Sequence, residues 1–242
     1  MYWRPWSDRL QHQLKLDTKP IAVIFAGPQP SSIPPRGKVS VCQALARAAR
    51  GEAFSITAET CGCAGGLVSL GLGQTPAAGK EKLVDFLVNK EKAYCSRIAI
   101  HRSRETVPPP VGVAGRVDFV PLDESDALPD LVAFVGRPGS LHELIGLAGY
   151  WDGGSLKPEL IGPACRTGVA YPIVTGQLGL SLLDFGARRL ADFAADQLLL
   201  GVPFHRMLGI MHALVQGVGG SRLEGRENME RQIDELGTVE RV

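Results

Sequence analysis

The sequence predicts an α/β or α+β protein: a single two-lobed domain over residues 1–218, with a mixed sheet covered by helices. Three observations carry that expectation. Residues 21–25 and 131–135 are continuous apolar runs, the pattern of strands buried on both faces. Residues 41–50, 77–89 and 141–150 are helix-forming stretches, the last two with apolar side chains along one face. Hydrophobic residues make up 45% of the 242, enough apolar material for a core of that kind.

The elements follow in order. Residues 7–17 read as an amphipathic helix with Leu10, Leu14 and Leu16 inward and Ser7 as its N-cap. Lys19-Pro20 ends it, and the strand over 21–25 begins. Residues 27–35 hold four prolines and two serines and form a loop. Ser40 caps the helix over 41–50, which Gly51 ends. Residues 54–57 alternate as a short strand, and 67–72 form a small-residue helix. After the helix over 77–89, residues 98–100 suggest another short strand. The triple proline at 108–110 forbids regular structure and marks a joint between lobes of about 1–107 and 111–218.

Beyond the joint, 117–122 alternates as a strand and 131–135 is the second buried one. Ser140 caps the helix over 141–150, and Gly153-Gly154 stops it. Residues 164–171 open a short helix. Residues 180–185 suggest a strand, 186–189 a turn, and 190–193 a further strand. Pro203 begins the last strong helix, which runs to about residue 218, and 219–242 form a charged tail. No internal repeat is visible in the sequence.

Charge and patterning exclude several functions. A net charge of +1 gives no reason to expect a nucleic acid or an anionic membrane as partner. No apolar run approaches the roughly 18 residues of a membrane span; the tract at 198–202 is short and ends in Pro203. The first residues carry no apolar signal core, so a cytoplasmic location is expected. The sequence leaves open whether the chain is a homo-oligomer.

The informative residues are the cysteines. Five thiols without an export signal argue against a disulfide framework. They are then buried hydrophobes, reactive groups or metal ligands. Thr60-Cys61-Gly62-Cys63-Ala64-Gly65-Gly66 sets two thiols in a run with almost no side-chain bulk. Positive φ at Gly62, Gly65 and Gly66 would let this backbone fold tightly around a ligand. Cys42 and Cys165 complete a quartet with Cys61 and Cys63, and an iron–sulfur cluster of the 4Fe–4S type is the cofactor such a quartet suits. Zinc is the alternative. No C-x-x-C spacing is present, and which of Cys61 and Cys63 ligates is left open. Cys95 is expected to be a small buried hydrophobe.

His142 and His212 sit singly in amphipathic helices and read as satisfied core or surface residues. His12 and His101 sit among polar groups and read as solvated, and His205 stands at a helix start where the dipole disfavours its charged form. Asp184-Phe185-Gly186-Ala187-Arg188-Arg189 is either a plain turn or an anchor in which Arg188 or Arg189 grips a carboxylate or phosphate. Tyr171, His205 and Asp184 are the candidates for moving protons.

The ordered set of segments resembles the ArCR family, a domain of unknown function. Lys19-Pro20-Ile21-Ala22-Val23, Cys42-Gln43-Ala44-Leu45-Ala46 with Gly51, and Cys61 with Gly65-Gly66 carry the resemblance in the first half. In the second half it rests on residues 132–138, Gly162-Pro163-Ala164-Cys165 with Tyr171-Pro172, and Gly186-Ala187-Arg188-Arg189. It spans roughly residues 7–216. The resemblance implies that Cys42, Cys61 and Cys165 belong together. If only three thiols converge, one iron of a cluster lacks a cysteine and is open to substrate.

Two functions are therefore expected. One is an iron–sulfur or other thiolate-metal enzyme, an oxidoreductase or lyase acting on a small anionic molecule. The other is a non-catalytic metal- or ligand-binding sensor module in which the cysteines are partly structural.

Overall fold

The computed structural model describes residues 3–34, 36–74, 77–105, 114–153, 160 and 162–217. The triple proline and the tail from residue 218 lie outside them. Six strands form one open sheet: β1 (Ile21–Ala26), β2 (Phe54–Thr57), β3 (Arg116–Pro121), β4 (Leu131–Gly136), β5 (Gly179–Ser181) and β6 (Leu198–Pro203). Their order is β2-β3-β1-β4-β6-β5, and every ladder is antiparallel. The continuous apolar runs have the expected cause, because helices cover both faces of the sheet.

Side-chain alternation sorts the two layers. Ala22, Val132, Phe134, Leu200 and Val202 face one cluster with helices α1 (Arg4–Gln13), α6 (Pro138–Asp152) and α9 (Phe204–Gln216). Ile21, Val23, Leu131, Ala133, Val135 and Leu199 face the other. That second face carries α2 (Val41–Ala48), α3 (Ala64–Ser69), a π-helical turn (Arg166–Ala170), α7 (Tyr171–Thr175) and α8 (Phe185–Leu190). The remaining helices are α4 (Ala77–Asp85), which continues as a π-helical turn (Phe86–Lys90), and α5 (Arg97–Glu105).

The strand order hides a repeat. Chain order β1, β2, β3 places β3 between β1 and β2, and β4, β5, β6 places β6 between β4 and β5. A half-turn about the normal to the sheet carries β1, β2 and β3 onto β4, β5 and β6, each landing on a strand that runs in the rotated direction. The halves meet where β1 pairs β4 over three residue pairs, Ile21 with Ala133, Ala22 with Val132 and Val23 with Leu131. Side chains extend the joint: Asp130 Oδ2 accepts the Phe25 N–H at 2.7 Å, and the Thr18 hydroxyl donates to the Val135 carbonyl. β3 follows the prolines in sequence yet lies between β2 and β1, so the sheet runs unbroken through both parts of the chain.

Several local expectations change. Pro5, not Ser7, opens α1; Ser7 is buried within it. Pro138 likewise opens α6 ahead of Ser140. Residues 98–100 are helical: the Ser96 hydroxyl accepts the Ala99 N–H at 3.2 Å, and Ile100 alone of the two isoleucines is buried. The strand at 180–185 stops at Ser181, because Leu183 takes φ 62° and Asp184 then caps α8. Residues 186–189 are thus helix rather than turn, and 190–193 form no strand. The true strand is β6, which the sequence disguises with Gly201 and Pro203.

Candidate functional site

The thiols lie on the face of α2, α3 and α8. Ser40 and Gln43 form a reciprocal capping box, with Ser40 N–H to Gln43 Oε1 at 2.9 Å and Gln43 N–H to Ser40 Oγ at 3.2 Å. That box fixes Cys42 in the first turn of α2. The Cys61 loop is held beside it by a parallel bridge between Val39 and Cys61. Val39 N–H donates to Thr60 O at 3.1 Å, and Gly62 N–H donates to Val39 O at 2.8 Å.

The glycines of this loop serve close approach. None of Gly62, Gly65 and Gly66 has a positive φ, contrary to expectation. A Cβ on Gly66 would stand 2.7 Å from Val41 Cγ2 and 3.6 Å from Cys61 Sγ. Glycine is needed there so that α3 can lie against the start of α2.

Cys63 is exposed and stands at the N-cap position of α3, where its side chain makes no capping bond. Cys61 is half-buried, and its thiol donates to the Cys63 carbonyl at 3.2 Å. Cys165 is buried at the head of the π-helical turn. That turn lies directly on the sheet: a Cβ on Gly179 would overlap Thr167 O, and one on Gly201 would overlap Gly168 O.

In the second half Asp184 bridges two backbones. Its Oδ1 accepts Ala187 N–H at 3.0 Å, capping α8, and its Oδ2 accepts Ala164 N–H at 2.9 Å, next to Cys165. The half-turn that relates the halves pairs α2 with the Cys165 turn and α3 with α8. The observed packing obeys it, since α2 packs on α8 and α3 packs on the Cys165 turn. Cys63 and Asp184 are the N-cap residues of the paired helices α3 and α8.

These groups feel one another's charge. Burial pushes the Cys42 thiol well above its ordinary value, and Cys165, Asp184 and Cys63 add to the shift. Burial also pushes Cys165 up to about 12, reinforced by Cys63, Asp184 and Cys61 and opposed by a Ser69 hydrogen bond. Cys61 is raised by burial as well, with Cys63 adding to it and a backbone hydrogen bond at Cys63 opposing. The carboxyl of Glu91 is raised by burial and by Asp184, which brings a residue unmarked in the sequence to this neighbourhood. The charges that oppose thiolate formation thus come from both halves. Among the described residues, no group of three or more His, Cys, Asp or Glu side chains stands ready to hold a metal ion.

The other candidates lie differently. Cys95 is exposed, not buried, in the bend before α5. The Arg188 guanidinium donates to the carbonyls of Ala194 and Ala195 at 3.0 Å, Leu182 at 2.8 Å and Gln197 at 3.3 Å. Arg189 is exposed and lies over the Phe185 ring, 4.8 Å from its centroid. His205 is exposed, and a Cβ on Gly176 would lie 3.5 Å from its ring. Tyr171 follows the Cys165 turn and opens α7. His12, His101, His142 and His212 are all exposed, as a surface reading requires.

The family described as uncharacterised ArCR matches residues 9–213. The chain belongs to the ArCR family. An uncharacterised protein of Methanocaldococcus jannaschii is similar to it, 26% identical over 160 residues. The match covers 63% of this ArCR chain and 65% of that relative's length. No solved structure matches the chain. Among the described residues, no helix of this ArCR protein is long and apolar enough to cross a membrane.

Proposed function

We propose that Cys42, Cys61, Cys63 and Cys165 hold a thiophilic metal centre, an iron–sulfur cluster of the 4Fe–4S type, between the two halves of the chain. One observation carries the reading: acidic groups from both halves gather on one sheet face, where Cys63 and Asp184 both oppose ionisation of the buried Cys42 and Cys165 thiols. Thiolates in such a setting need a compensating cation, and a bound metal supplies it. Binding releases the Cys61 thiol from the Cys63 carbonyl to which it now donates. The proposal includes a cytoplasmic setting, where thiols stay reduced, and a small-molecule ligand at an open metal position. Redox or lyase chemistry on a small anion is the activity that such a position suits, with Glu91, whose carboxyl is raised by burial and by Asp184, as the group to carry a proton.

A second reading is a sensor or binding module without catalysis. The engagement of Arg188 by four backbone carbonyls favours it, because that cation is then not free to grip an anion. The first experiment is anaerobic purification under reducing conditions with visible spectroscopy and iron, sulfide and zinc analysis. Expected is a coloured protein with about four irons and four sulfides per chain. One tightly held zinc instead would keep the centre and replace the cluster. A colourless preparation free of both metals overturns the proposal.

A further inference from the structure

One side chain ties the start of α8 to the segment that carries Cys165. We infer that Asp184 is the positioning residue that presents Cys165 to the thiols of the first half, an inference that rests on the proposed thiol centre. Asp184 touches both partners at once, with one oxygen on the α8 backbone and the other on the N–H of Ala164. Ala164 and Ala187 are fully buried, so neither N–H has water as a substitute. The residue before it is set for this task. Leu183 is buried at φ 62°, a conformation that costs a non-glycine residue energy and persists only where its surroundings enforce it. The Ser181 hydroxyl accepts the Leu183 N–H at 3.1 Å and helps to hold that turn.

Cap preference alone does not explain this residue. Serine or asparagine would cap α8 as well as aspartate does. A carboxylate is the side chain that accepts two separate backbone N–H groups with two oxygens and no donor of its own. Serine offers one oxygen, and the second oxygen position of asparagine becomes an N–H₂ facing another N–H. The second acceptor is what reaches the Cys165 segment. Because α8 also packs on α2, which carries Cys42, the same carboxylate sets the distance between thiols of opposite halves.

The test compares wild type with Asp184→Ser and Asp184→Asn, and with Cys165→Ser as reference. The first readout needs no metal: the rate at which a small alkylating reagent labels Cys165 in reduced, metal-free protein, read by mass spectrometry. Loss of one buried hydrogen bond is expected to raise that rate about tenfold in both Asp184 variants. Labelling of the exposed Cys63 should stay unchanged. The second readout is the thiolate-to-metal charge-transfer absorbance of the Co²⁺-loaded protein. Both variants should lose about one quarter of it, as Cys165→Ser does, one thiolate of four. General destabilisation would not remove a single thiolate's share, and it would speed labelling of Cys42 and Cys61 together with Cys165.

Unchanged labelling and unchanged absorbance in the variants would overturn the inference. Faster labelling of Cys165 in a protein that takes up no metal would keep the positioning role and remove the metal reading. Should the serine variant unfold, uniform labelling of all five thiols reveals it, and the asparagine variant decides.

Discussion

A cysteine at a helix N-cap is a costly choice unless the thiol is used. Cys63 occupies that position of α3 with extended φ and ψ of −138° and 121°, yet caps nothing. Its counterpart Asp184 makes the bond. Cys63→Ser should therefore stabilise the metal-free protein by about 0.5–1 kcal/mol, since serine is a strong cap and nearly the same size. The same change should weaken the proposed metal centre. Denaturant melts of the metal-free protein check the first part; a loss of stability would show that Cys63 serves packing. Cys165 makes a different prediction. Its thiol is raised to about 12 in the fold and titrates near its ordinary 9.0 when unfolded. Below about pH 9 both states hold the proton, so the shift contributes nothing to the pH dependence there. Between about 9 and 12 only the folded state keeps it, and stability falls by roughly 1.4 kcal/mol per pH unit. Cys42 and Cys61 are raised too and steepen the fall. Cys165→Ala should make the alkaline limb of the metal-free protein measurably shallower. A limb of unchanged slope in chemical denaturation across pH 8–11 would mean that Cys165 is not held as a buried thiol.

At the scale of elements, what the sequence revealed depended on whether local pattern and tertiary contact agreed. β1 and β4 were legible because burial on both faces writes an unbroken apolar run. α2 was legible because Ser40 and Gly51 punctuate it and the capping box is local. β6 was not. Gly201 reads as a breaker, but it is glycine because the backbone of the Cys165 turn presses on it, a contact between residues more than thirty positions apart. α8 was hidden for a similar reason: its cap and the strained Leu183 take their meaning from Ala164. In the candidate site, the cysteines were visible as residue types. Asp184 stood out as the head of a turn or anion anchor and as a group able to move a proton, and Glu91 not at all, since nothing local marks either as a neighbour of thiols. The Gly201 contact carries its own prediction. Gly201→Ala forces a methyl group into the Gly168 carbonyl and Pro172, and overpacking of this kind costs about 1–3 kcal/mol. Alanine is otherwise acceptable in a strand, so a melting temperature within a degree of wild type would show that the turn does not sit flush on the sheet. The same variant should also expose Cys165 to alkylation.

The whole molecule is two strand triplets joined at a narrow seam. β1–β3 and β4–β6 each align six residue pairs, whereas β1–β4 aligns three. The seam is reinforced on one face by the helices that carry the thiols and on the other by the apolar cluster of α1, α6 and α9. The thiol face holds groups from both halves that oppose ionisation of Cys42 and Cys165. The proposed centre would share a cation between Cys42 and Cys165 and so tie the two halves together on that face. A ligand that binds only the folded state adds about 2.7 kcal/mol at a hundredfold excess over its dissociation constant. In a chain of this size that is roughly 5–10 °C in melting temperature. Metal loading should produce such a rise and a chelator should reverse it. The position of the gain matters more than its size. Hydrogen exchange should slow most in the short β1–β4 pairing and in α2 and α8, and least in edge strand β2. Cys165→Ser leaves the metal to the first half alone and should remove most of the rise, whereas Cys42→Ser leaves ligands in both halves and should only reduce it. A rise that survives in Cys165→Ser would place the metal within the first half alone, and the two halves would then owe nothing of their union to the thiols.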